Sequence, residues 1–176
     1  MDKLIQRFKE YCGAMVYGNL KIVNVHGIQH KYAVQFPSEV EALKSEIQTK
    51  QRPGSNAWRQ WQFKFDDIFP PQNRVHFTTG IPIELRGIGL GYKMYKALIM
   101  HLGHAESEAN ATFEARNVWT KLYQDKELHC YRTDKGQYLV VSPYVNDEEE
   151  ILKRWKEFYK LSDADVHSRD VLVDKA

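Results

Sequence analysis

Near its start the chain repeats apolar residues at helical spacing. Leu4, Ile5, Phe8 and Tyr11 fall on one face, which predicts a short amphipathic helix over residues 2–12. The segment NLKIVNVHGIQHKYAVQF then alternates apolar and polar positions on both sides of HGIQH, as a β-hairpin closed by a short glycine-containing loop would. Helical spacing returns in PSEVEALKSEIQTK, where Val40, Leu43 and Ile47 share a face and Ser38 is the expected N-cap. QRPGSN reads as a loop. In the following AWRQWQFKFDDI, which also holds Trp58, the alternation of Trp61, Phe63 and Phe65 predicts a strand with one aromatic face.

FPPQN turns the chain, and VHFTTGI is a short β-rich segment leading into ELRGIGLGYKMYKAL. From about Gly91 to Leu102, Met94, Tyr95, Leu98 and Ile99 predict a helix. After GHAESE, the run TFEARNVWTKLYQDK marks a further amphipathic helix by Phe113, Val118, Trp119 and Leu122. LHCYRT and QYLVVSP flank the turn DKG as a strand pair. NDEEEILKRWKEFYKL has the polarity of a capped helix, with Asn146 or Asp147 at its start, acid in its first turn and base later. With no internal repeat and no composition break, residues 1–162 read as a single α/β (α+β) domain and 163–176 as a loose polar tail.

A chain of 176 residues can bury a full core without staples. Its formal net charge of +2 asks for no polyanionic partner, so nucleic acid is not indicated. Cys12 and Cys130 match no metal or redox spacing and are expected as free thiols of a reducing compartment. The charged, amphipathic N-terminus lacks the apolar centre of a signal peptide, and no run reaches the length of a membrane span. The expectation is a cytoplasmic protein without a membrane, monomer or homodimer.

The segment Arg86-Gly87-Ile88-Gly89-Leu90-Gly91 carries the clearest chemical signal. Glycines clear the approach of an anion to backbone N–H groups, and a helix beginning there adds its positive end. Strand, glycine loop and helix N-terminus in this order form a phosphate-binding candidate. The dinucleotide fingerprint fails because the third glycine comes one residue early, and a Walker loop fails because Gly91 is followed by Tyr92 and Lys93. The pattern fits Arg/Gln-x-x-Gly-x-Gly/Ala, and here the chain resembles the GNAT superfamily of N-acetyltransferases. In that family a central strand precedes the loop and a helix follows it. The next strand leads to a helix often patterned Ala-x-x-Leu-Tyr, matched here by VHFTTGI, YKMYKALIMHL, HAESE and ARNVWTKLY. The chain also resembles, more faintly, GNAT-like proteins encoded by tailed bacteriophages.

The resemblance implies a mixed, twisted central sheet flanked by helices, with acetyl-CoA as acyl donor and an amine of a small molecule or protein as acceptor. The backbone of Thr79, Gly80 and Ile81 would pair with the pantetheine arm. Arg86, Gly87, Ile88, Gly89, Leu90, Gly91 and Tyr92 would cradle the pyrophosphate. The alternative for the glycines is a tight strand-to-helix turn. The position of the family's catalytic tyrosine is Trp119, which offers no useful proton at neutral pH. Tyr123, one turn later on the same face, is the substitute acid, or else a packing residue. Glu106 is a candidate base, or an exposed edge carboxylate. His76 can accept a proton, or sit satisfied and partly buried.

His101/His104 and His26/His30 lack a third nearby ligand in a recognisable spacing, so no metal is expected. The aromatic strand, with Arg59 and Lys64 interleaved, either packs a core or stacks on bases. The rivals to an acetyltransferase are thus a GNAT-fold protein that binds CoA or a macromolecule without turnover, and an interaction module built on that strand.

Overall fold

The computed structural model describes residues 1–25, 30–66, 81–107 and 113–169. They form an α+β protein of six α-helices and two antiparallel sheets, in two compact units: Met1–Asp67 with Thr78–Ala97, and Ile68–Phe77 with Leu98–Ala176.

In the first unit α1 (Asp2–Ala14) buries Phe8 of the predicted face together with Cys12, leaves Leu4 and Ile5 half-buried and exposes Tyr11. Strands β1 (Lys21–Asn24), β2 (Lys31–Gln35) and β3 (Lys64–Asp66) follow one another in an antiparallel sheet, with Ile22 opposite Val34 and Tyr32 opposite Phe65. Helix α2 (Ser38–Thr49) buries Val40, Leu43 and Ile47 as their spacing predicts. Ser38 is not its cap. Pro37, extended at ψ 152, takes the N-cap place and leaves Ser38 as the first helical residue. Glu41 of that helix instead accepts from the N–H of Phe36 at 2.8 Å.

The strand expected from Trp61 onward begins at Lys64, and a short helix precedes it. Ser55 accepts from the N–H of Trp58 and caps a short helix α3 (Asn56–Gln60), and only Lys64–Asp66 joins the sheet. Trp61, Phe63 and Phe65 are all buried. Phe8 meets Trp61 and Phe36 edge-on at 5.2 and 5.4 Å, and Phe36 meets Phe63 at 5.1 Å. Their faces are therefore spent inside the core rather than offered to bases.

Helix α4 runs from Leu90 to Leu102, one residue earlier than its spacing predicts. In the second unit β4 (His104–Glu106), β5 (His129–Thr133), β6 (Tyr138–Val141) and β7 (Val166–Ser168) form a sheet in the order β4-β6-β5-β7. Strand β7 falls in the stretch read from sequence as a loose tail and pairs with β5, placing His167 opposite Arg132.

Successive residues of β5 and β6 point to opposite faces. Cys130 faces α5 (Phe113–Tyr123), its thiol donating to the Leu122 carbonyl at 3.2 Å. Leu139 and Val141 face α6 (Glu148–Tyr159), forming a buried cluster with Ile151 and Trp155. Trp119 and Leu122 are buried on α5, whereas Phe113, predicted on the same face, opens the helix and is 74% exposed. Among the described residues no helix is long and apolar enough to cross a membrane.

Candidate functional site

Backbone conformation explains the glycine segment. Ile81 is half-buried, and a 3-10 turn at Ile83–Leu85 follows Pro82. Leu85 and Leu90 are each 1% exposed, so two leucines anchor the loop ends in the core while Arg86 and Gly87 stay exposed. Gly87 has φ +83 and Gly89 φ +76, with Ile88 on the ordinary side between them. Such alternation in the sign of φ is the geometry of a backbone nest, which turns successive N–H groups toward one concavity.

A Cβ at either glycine would meet no heavy atom within 4 Å. The glycines are therefore required by the backbone, and the space beside them is open. The Ile88 N–H closes the turn over Arg86–Gly87, while Gly87, Gly89, Leu90 and Gly91 have N–H groups with no backbone acceptor among the described residues. The first closing bond of α4 runs from the N–H of Lys93 to the Gly89 carbonyl, 3.1 Å. Open space, these donors and the positive end of a 13-residue helix suit an anion.

The nearest lysine is used elsewhere. Lys93 Nζ donates to the carbonyls of Cys12 and Gly13 at 2.9 and 2.8 Å and so caps the C-terminal end of α1. Burial of its ammonium lowers its pKa, with the Cys12 thiol opposing. The thiol itself is pushed up to about 12, chiefly by burial, with Lys93 pulling the other way. Nothing in the local sequence signals this cap, since its partners lie 81 and 80 positions away.

His76, Thr79 and Gly80, with the strand expected over 75–81 up to Gly80, lie outside the described residues, as does His26. The other predicted site residues belong to the second unit. Glu106 ends the edge strand β4 and is buried at 2% exposure, so it is not the exposed carboxylate of the alternative reading. Ser107 beside it accepts from the N–H of Tyr138 at 2.9 Å and donates its own N–H to the Tyr138 carbonyl at 3.0 Å. Trp119 stacks on Tyr138, ring centroids 6.4 Å apart, and Tyr123 meets the same ring edge-on at 6.0 Å.

Tyr123 is thus a packing residue by its ring. Its hydroxyl is not explained by packing: the oxygen is buried and has no hydrogen-bond partner among the described residues. Burial raises the pKa of this phenol; the Arg132 guanidinium is the largest opposing influence, Cys130 adds to the rise and Arg169 lowers it.

A second polar network goes unsignalled by any sequence motif. The Glu148 carboxylate pairs with His129 Nδ1 and accepts from the Tyr131 hydroxyl at 2.6 Å, tying the first turn of α6 to alternate residues of β5. Among the described residues no group of three His, Cys, Asp or Glu side chains could hold a metal ion. No family model, no curated protein and no solved structure matches the chain.

Proposed function

We propose that the chain is an acetyl-CoA-dependent N-acetyltransferase of the GNAT type, passing an acetyl group to an amine of a small molecule or protein. The observation that carries this reading is the loop of Gly87 and Gly89, with positive φ at both, four N–H groups without a backbone acceptor among the described residues, and open space beside the two glycines. Residues 86–92 would hold the pyrophosphate, and the backbone of Thr79–Ile81 would pair with the pantetheine arm. A mixed GNAT-type sheet belongs to the same proposal.

Transfer needs a neutral amine and a proton for the departing thiolate. Glu106 or His76 takes the amine proton, and Tyr123 gives its phenolic proton to the thiolate. Its raised pKa keeps that proton in place at neutral pH. A second reading, CoA binding without turnover, is favoured by two observations: Trp119 is stacked on Tyr138, and the Tyr123 hydroxyl oxygen is closed to solvent.

Slow hydrolysis of acetyl-CoA separates the two readings, because water is the acceptor and no substrate need be guessed. Tyr123→Phe keeps the ring and removes the proton, so the rate should fall about a hundredfold with CoA affinity unchanged. A rate within a few fold of wild type would remove Tyr123 as the acid. A wild type that binds acetyl-CoA but neither hydrolyses nor transfers it would favour the second reading.

A further inference from the structure

We infer that Arg132 and Arg169 are positioning residues for Tyr123, supplying the positive field in which its phenol can release a proton. The inference rests on the acyl-transfer reading above. On the α5 face of the sheet, Arg132 is the cross-strand partner of Tyr138, and its guanidinium lies 5.1 Å from the centroid of the Tyr123 ring. Arg169 follows β7, whose register sets Ser168 opposite Tyr131, and its guanidinium donates to the carbonyl of Asp125, two residues beyond Tyr123.

The Tyr123 hydroxyl oxygen is buried, and Arg132 acts on it through its charge and as a hydrogen-bond donor in reach of the phenol, whereas Arg169 acts through charge alone. Arg132 from β5 and Tyr138 from β6 meet the Tyr123 ring, while Cys130 from β5 and Arg169 beyond β7 act on its phenol by charge. Cys130 acts against the two cations.

The chemistry requires such a field. As the C–S bond of the acyl donor breaks, the O–H bond of Tyr123 breaks and an S–H bond forms on the departing thiol. A phenolate is left, later reprotonated from solvent. A buried phenolate is costly unless nearby cations and donors stabilise it, and Arg132 offers both. Arg132 is exposed on the strand, so replacing it removes charge without opening the core.

The test is a pH titration of the full chain labelled at tyrosine Cζ and followed by NMR. The Tyr123 signal is identified by its loss in Tyr123→Phe. Arg132→Gln and Arg169→Gln should each move the Tyr123 titration to higher pH, and Arg132→Lys should restore part of the shift. Acetyl-CoA hydrolysis should lose about tenfold in kcat in Arg132→Gln with KM within about twofold, the pattern of a group acting only on the transition state. A Tyr123 titration unmoved in both glutamine variants overturns the inference. If the titration moves but wild type shows no turnover, the positioning stands and the acyl-transfer reading falls.

Discussion

Lys93 shows how a single side chain can separate two readings of one loop. In a phosphate loop of the Walker kind the lysine after the last glycine reaches the anion, but here Lys93 spends its charge on the carbonyls at the end of α1. Lys93→Met should therefore cost about 1–2 kcal/mol of stability, the worth of hydrogen bonds to a charged donor. Urea unfolding would show a lower midpoint at constant slope, with acetyl-CoA affinity within about twofold of wild type. A loss of affinity beyond about tenfold would return this lysine to the anion. Cys12, beside it, is buried and its thiol is held protonated. Its folded value is raised above the ordinary 9.0 to about 12, so the stabilisation is complete below pH 9.0 and is lost as pH climbs toward 12. The urea midpoint of wild type should fall across that window by more than that of Cys12→Ala. Equal declines would contradict this assignment. At this scale the sequence is least legible. The glycines and arginine stand out as text, whereas Lys93, Arg132 and Arg169 acquire roles from partners brought near only by folding.

Elements are more legible. Where apolar residues recur over three turns, as in α2 and α4, local spacing and burial agree, because one face must be covered; in α1 Phe8 is buried, but Tyr11 of the expected face stays exposed and Cys12 is buried instead. The two hairpins are legible for the same reason, with period two replacing period 3.6. What escapes are short pieces. Helix α3, five residues just before the aromatic alternation, depends on the Ser55 cap, and β7 has three residues whose pairing depends on β5 alone. Helix α6 is readable from its charge pattern, yet its acidic first turn does more than match a helix dipole. Glu148 fastens it to β5 through His129 and Tyr131. Glu148→Ala should lower stability by about 1 kcal/mol, a value kept small because the pair is partly exposed. Chemical denaturation measures it. A change within error would mean that the apolar cluster of Ile151 and Trp155 alone holds the helix.

For the whole molecule, a net charge of +2 and burial of the aromatic residues Trp61, Phe63 and Phe65 leave the glycine loop as the feature with the most specific chemistry. The α+β class follows from the interleaving of the two periodicities, and the tail residues 166–168 close one edge of the second sheet. The account stands on acetyl-CoA meeting the backbone of residues 86–92, so the direct measurement is calorimetric titration of acetyl-CoA into wild type and Gly89→Val. At φ +76 valine is strained, and its branched side chain fills the open space beside the N–H groups. Circular dichroism must therefore first establish that the variant is folded. The account predicts saturable binding to wild type and an affinity at least tenfold weaker, about 1.4 kcal/mol, in folded Gly89→Val. No binding to wild type, or equal affinity in the folded variant, would contradict it.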